Sequence, residues 1–351
     1  MGTKYGPSIA SGRSLPGVPR ATGRLLGSVS LTDSTASENR ADEAFRLVDA
    51  QLVPPRLERE ELSILQEDLE QTLSTELVVR SIHPYGSAVD GTQIPRARPN
   101  DMDLLVELDP EIYAVLIHNP DGPERILRMV KRAVRRNPNY HDAEIHVDRN
   151  AVTVAVGGVH VDLVPFVPSD RTAERQMLEF PYLGEMLPTT EGRIPDTTHR
   201  KGWIETDPRL SMRYLKRLNK RHRGQIVPMI KRFKSVNERQ GAILTSNHIK
   251  VIAMLDFHQH GSDRAQSPRQ RTRDFASRLS TYLRGPVYDP VTNEQVDAYL
   301  SPGDRTTAMN WAQSTYRALS EADAFVAAGE PKKAEAIYKR LFTEGKGTDT
   351  S

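Results

Sequence analysis

Apolar and polar positions change period along this chain, and the changes mark its elements. Helical spacing begins near Ala41 and stops at Pro54-Pro55; Leu62, Leu65, Leu69 and Leu73 then repeat it in a second helix. The run 103-DLLVEL-108 reads as a strand, and a helix over about 122–136 follows it, ending at Arg135-Arg136-Asn137-Pro138. Three more strands are expected in 144-EIHV-147, 151-AVTVAV-156 and 159-VHVDLVPF-166, the last two joined through Gly157-Gly158 in a hairpin turn. Residues 170–206 are polar and irregular, with Pro181, Pro188 and Pro195, and are expected to form a long loop bordering a site.

Beyond that loop the pattern is helical to the end. Asp207-Pro208 and Ser267-Pro268 each supply a cap and a first helical residue, and Gly285-Pro286 stops the second of these helices. Strands early and helices late predict an α+β protein, with a mixed-sheet lobe, a helical second lobe and a cleft between them. The expected boundaries are a mobile arm over 1–38, the sheet lobe with its N-terminal helices over 39–206, the helical lobe over 207–343 and a mobile tail over 344–351.

Composition narrows the function classes. The 351 residues suffice for one large or two ordinary domains, and 48 Lys+Arg against 46 Asp+Glu advertise neither a nucleic-acid nor an acidic partner. The absence of cysteine excludes disulfides, thiolate catalysis and the usual structural zinc sites. No apolar run of membrane-spanning length and no signal-peptide core is present, so the cytoplasm is the expected location and no membrane partner is expected.

The chemistry concentrates in 85-YGSAVDGTQIPRARPNDMDLLVEL-108. In a strand, Asp101 and Asp103 project to one face while Met102, Leu104 and Val106 take the other. Two carboxylates this close repel unless a divalent cation lies between them. Asp162, within 159-VHVDLVPF-166, is a third candidate ligand. Three carboxylates on adjacent strands can hold two Mg²⁺ or Mn²⁺ ions, the arrangement that in-line phosphoryl transfer uses. Gly86-Ser87 would let the backbone approach a phosphate and offer it a hydroxyl. Each element alone is compatible with an ordinary turn or strand end; their order and placement favour catalysis.

These residues resemble the polymerase-β-like nucleotidyltransferases, marked by Gly-Ser, Asp-x-Asp and a later single Asp. Within that superfamily the chain is most similar to the bacterial second-messenger oligonucleotide synthases related to the cyclic GMP-AMP synthases, the CD-NTase or SMODS family. The supporting residues are Gly86-Ser87, Gly91-Thr92, Ile94-Pro95, Asp101-Met102-Asp103, 161-VDLVP-165, 202-GWIETDP-208 and 322-ADAFVAAGEPKKAEAIYKRLF-342, and the likeness covers about residues 40–345. It implies a metal-dependent enzyme joining nucleoside triphosphates, ATP among them, into a cyclic or linear oligonucleotide messenger with release of pyrophosphate, in antiphage (CBASS-type) signalling. By resemblance Lys216 and Ser246 would contact the donor triphosphate. The following position, aromatic in animal relatives, is Asn247 here, which leaves base choice open; Tyr182 and Trp203 are alternative stacking partners, although packing accounts for each better. Relatives also imply an operon-encoded regulator or ligase acting on the tail 343-TEGKGTDTS-351.

Two other functions compete with this one. The core could transfer a nucleotide to an RNA 3′ end, a protein or a small molecule, or it could bind nucleotide without turnover. The basic segments 213-RYLKRLNKRHRG-224 and 231-KRFK-234 allow a nucleic-acid groove, but a triphosphate pocket flanked by a solvated helix face accounts for them better.

Overall fold

The computed structural model describes residues 31–54, 59–95, 101–169, 177–180, 185–188, 191–197, 202–261 and 266–343. The first 30 residues of the expected arm, Tyr182 and nearly all of the tail lie outside them.

The first helix, α1 (Leu31–Gln51), starts about ten residues before the apolar spacing that announces it. The expectation of a mobile arm through residue 38 is corrected there: the Ser37 hydroxyl, buried, donates to the Val326 carbonyl at 2.8 Å. Also corrected is the assignment of this helix to the sheet lobe. Ala41, Phe45, Val48 and Leu52 enter the core of the helical lobe, where the Phe45 ring meets Tyr338 edge-on at 5.0 Å. A stripe of apolar residues determines that a helix buries one face; it does not determine the surface that receives it.

Helix α2 (Arg59–Glu76) leads into β1 (Val79–Tyr85), an additional strand that the sequence pattern conceals behind its polar residues. Next come β2 (Asp101–Leu108), α3 (Pro110–Ile117), α4 (Gly122–Arg136), β3 (Glu144–Asp148), β4 (Ala151–Val156) and β5 (Val159–Pro168). The sheet order is β1-β2-β5-β4-β3. Strands β2 and β5 run parallel, while β1 with β2, β4 with β5 and β3 with β4 are antiparallel. The β4–β5 hairpin turns at Gly157 and Gly158, whose φ values of 58° and 79° require the left-handed region that the paired glycines supply.

Residues 170–206 are not one irregular loop. They contain β6 (Met177–Phe180) paired with β7 (Glu185–Pro188), and β8 (Gly192–Pro195) paired with β9 (Trp203–Thr206); β8 also pairs with the end of β5. These strands are only four residues long, too short for a visible period of two, and prolines end two of them.

The helical lobe is built from α5 (Pro208–Arg221), α6 (Ile226–Arg239), α7 (Ser246–His260), α8 (Pro268–Tyr282), α9 (Pro302–Ala327) and α10 (Pro331–Phe342). Asp207 caps α5 by accepting the Leu210 N–H at 2.8 Å, and Ser267 with Gln270 forms a capping box on α8. The core of this lobe gathers Leu215, Phe233, Ile252, Phe275, Trp311 and Tyr338. A separate core lies between α2, α4 and one face of the sheet, formed by Leu69, Leu73, Ile126, Val130, Leu104, Val106, Val161 and Leu163. Covering this face leaves the other to carry the acids.

Candidate active site

Parallel pairing of β2 with β5 places Asp103 directly opposite Asp162. The row continues on both sides, because Tyr85 of β1 pairs with Asp103 and Thr153 of β4 pairs with Asp162. One line across four strands thus reads Tyr85, Asp103, Asp162, Thr153. The Thr153 hydroxyl donates to Asp162 Oδ1 at 2.6 Å, which fixes the orientation of that carboxylate. Burial, with Asp103 and Asp90 nearby, raises the Tyr85 pKa even though Lys250 opposes the shift, so the phenol stays neutral and can donate.

The alternation expected along these strands holds. Met102, Leu104 and Val106 are buried in the sheet-lobe core, as are Val161 and Leu163 beside Asp162. Asp101 is the first residue of β2, in register with His160 and two residues from Asp103; its side chain lies outside the described ones. Among the described residues no three His, Cys, Asp or Glu side chains gather as a metal-holding group. The donor set that is described, two carboxylates facing each other on paired strands with a hydroxyl steadying one, consists of the oxygen ligands that hard divalent cations take.

Gly86 leaves β1 with φ 72°, and a Cβ there would overlap Asp103 Oδ2 and lie 2.9 Å from its Cγ. The Gly-Ser turn therefore rests against the catalytic candidate itself. Three backbone bonds close the turn: Asp90 N–H to Gly86 O at 3.0 Å, Thr92 N–H to Ser87 O at 2.9 Å and Gln93 N–H to Ser87 O at 3.0 Å.

The helical lobe reaches this turn through residues other than those expected. Ser246 is the first residue of α7 but not its cap, a role taken by Thr245, which accepts the His248 N–H at 3.2 Å. One turn after Ser246, Lys250 forms an ion pair with Asp90 at 3.2 Å. From α6, Lys234 donates to the Thr92 carbonyl at 3.1 Å. Ser246 is half-buried and Asn247 exposed in the N-terminal turn of α7, one turn before the Lys250 that reaches Asp90. Lys216 is exposed on α5, about two turns beyond Arg209, which ties that helix to Glu107 of β2 at 2.6 Å; the structure does not bring Lys216 to the Gly-Ser turn among its described contacts.

Trp203 is buried in the sheet-lobe core, so of its two readings packing holds and base stacking does not; one further expectation is corrected. The segment 231-KRFK-234 is not a solvated face: Arg232 and Lys234 are both 2% exposed. Arg232 binds Asp49 and the Thr272 hydroxyl, and lies 4.6 Å from the Phe45 ring centroid. Sequence spacing carried a faint signal for these buried cations, since apolar residues flank 231-KRFK-234 on both sides.

Comparison with known proteins agrees with this geometry. The Second Messenger Oligonucleotide or Dinucleotide Synthetase domain matches residues 58–219. A probable cyclic nucleotide synthase of Bacillus cereus (strain VD146) is 23% identical over 218 residues, covering 62% of this chain and 61% of that protein. The match therefore spans less than two thirds of that relative's length. Among solved structures, E. coli MS115-1 CdnC with ATP superimposes with a TM-score of 0.62 at 17% identity, covering 86% of this chain and 99% of the other. The same protein in its HORMA-deltaN complex gives 0.60 at 16%, over 88% and 98%. Vibrio cholerae DncV cyclic AMP-GMP synthase, bound to the linear intermediate 5′ pppA(3′,5′)pG, gives 0.54 at 12%, over 89% and 86%. The fold is the polymerase-β-like one of these solved structures, and residues 58–219 match the Second Messenger Oligonucleotide or Dinucleotide Synthetase domain.

Proposed function

We propose that the protein joins nucleoside triphosphates into a cyclic or linear oligonucleotide second messenger and releases pyrophosphate. The observation that carries this reading is the juxtaposition of Asp103 and Asp162 on paired parallel strands, directly beside the Gly86-Ser87 turn. Asp101, Asp103 and Asp162 would hold Mg²⁺ or Mn²⁺, which when bound offsets the charge of the triphosphate and lowers the pKa of the attacking hydroxyl. Asp162, steadied by Thr153, is the residue placed to take the proton of the acceptor hydroxyl. The backbone at Gly86 and the Ser87 hydroxyl would bind the phosphates of the donor. The first turn of α7, with Ser246 and Asn247, would offer a helix N-terminus and its positive dipole to the same anion.

ATP is the first substrate to test, since CdnC is described with ATP. CdnC is also described in complex with HORMA-deltaN, which supports a protein regulator for this chain; a role in antiphage signalling is part of the same proposal. The deciding experiment incubates purified protein with labelled ATP, GTP, CTP and UTP and Mg²⁺ or Mn²⁺, followed by phosphatase. A resistant product that disappears in Asp101→Ala/Asp103→Ala is expected. Label appearing only on added RNA, protein or small molecule would replace this reading with transfer to that acceptor, and binding without turnover would replace it with a nucleotide-binding module.

A further inference from the structure

The ten residues from Gly86 to Pro95 hold the proposed phosphate grip, yet their own secondary structure is one short turn. What holds that turn against the helices is a pair of buried lysines. The Lys250 ammonium lies 3.2 Å from Asp90 Oδ2, with side chains 14% and 8% exposed. The Lys234 ammonium donates to the Thr92 carbonyl at 3.1 Å, and these residues are 2% and 3% exposed. Burial works against the Lys250 ammonium, but Asp90, then Tyr85 and Asp289, outweigh it and hold its pKa above the ordinary lysine value. That lysine stays charged.

Apolar side chains of similar volume would pack these contacts at least as stably, because a buried ion pair recovers little more than its desolvation cost. A charged pair differs from apolar packing in direction: it holds one carboxylate at one distance. Asp90 and Thr92 are the residues whose amides close the turn back onto Gly86 and Ser87. Fixing their positions therefore fixes Ser87, and through Gly86 the turn is fixed against Asp103.

We infer that Lys250 and Lys234 are positioning residues, which set the Gly86-Ser87 turn for triphosphate binding by tying it to α7 and α6. The inference rests on the proposed triphosphate role of that turn. Neither lysine needs to touch the nucleotide for this role, and neither is a catalytic residue.

The test compares wild type with Lys250→Met, Lys234→Met and the charge-free pair Asp90→Asn/Lys250→Met, which leaves no buried carboxylate unpaired and serves if Lys250→Met fails to fold. ATP affinity by equilibrium dialysis, KM and kcat for ATP, and hydrogen exchange at the amides of Asp90, Thr92 and Gln93 are measured. Expected are faster exchange at those three amides, at least fivefold weaker ATP binding and a KM raised by the same factor, with kcat changed less than threefold. A folded pair variant that binds ATP as wild type does would overturn the inference, whether or not its exchange is faster. Affinity and exchange are read without turnover, so a wild type that forms no product would count against the proposed synthase activity while these two measurements still decide the role of the lysines.

Discussion

Gly86 and Asp103 touch: the glycine's missing Cβ is replaced, in effect, by the Asp103 carboxyl group. The glycine at the head of the Gly-Ser pair is thus required twice, by its φ of 72° and by the acid above it. Gly86→Ala is expected to cost roughly 1–2 kcal/mol from the left-handed backbone. It should also displace Asp103 and lower product formation by about 100-fold, since small misplacements of reacting groups are costly. Thermal unfolding and initial rates, measured on the same preparation, separate the two effects; full activity in Gly86→Ala would show that the contact is not needed.

Asp162 and Thr153 divide the work on the next strands. Asp162→Asn keeps the shape but not the charge or basicity, and should lower the rate by about 10²–10⁴-fold. Thr153→Val removes a bond to a charged acceptor worth about 1.5–3 kcal/mol, so a loss of about 10- to 100-fold is expected. A pH–rate profile checks the assignment: the limb belonging to the base should shift in Thr153→Val, and an unshifted profile would separate Thr153 from the chemistry.

Arg232 joins α6 to α1 through Asp49 and to α8 through Thr272, with only 2% of its side chain exposed. Arg232→Met leaves Asp49 without its partner and should destabilise the fold by about 3 kcal/mol. Urea unfolding should show a lower midpoint at unchanged slope, and Asp49→Asn/Arg232→Met should regain part of the loss. Equal stability of wild type and Arg232→Met would contradict the coupling of α1 to the helical lobe.

His248 supplies a pH dependence. Burial pushes its pKa from the ordinary 6.5 down to about 4. The ring stays neutral when folded, in contact with the Tyr299 hydroxyl at 3.0 Å. That hydroxyl accepts the Thr245 N–H at 2.7 Å, leaving its own proton for His248 Nδ1. Unfolded chains take up a proton near pH 6.5 and the native one does not until about 4, so stability is full above 6.5 and falls as pH drops toward 4. The loss on this account is on the order of 3 kcal/mol. Unfolding free energies at pH 7 and pH 5 should differ less in His248→Gln than in wild type; an equal difference would assign the acid sensitivity to other groups.

The Asp101-Asp103 half of the acid constellation was legible because its parts are local in sequence. Asp-Met-Asp on an alternating strand announces one acidic face whatever the strand pairs with, and Gly157-Gly158 announces its hairpin. Strand β1 was not legible, since His83 and Pro84 interrupt its pattern. The place of Lys216 off the apolar stripe of α5 was also readable, and the structure leaves that side chain exposed.

By itself the sequence determined most of the helices, four of the nine described strands, the side of β2 that bears acid, and the candidate residues for metal and phosphate. These follow from backbone periodicity, caps and side-chain chemistry, which act over a few residues. Tertiary structure alone decided that Asp103 pairs with Asp162 across 58 intervening positions, that α1 docks on the helical lobe, and that Lys234 and Lys250 reach the turn. Strand register and helix docking depend on contacts between distant residues whose faces fit, and a linear pattern of apolar positions shows that such a face exists without showing its partner.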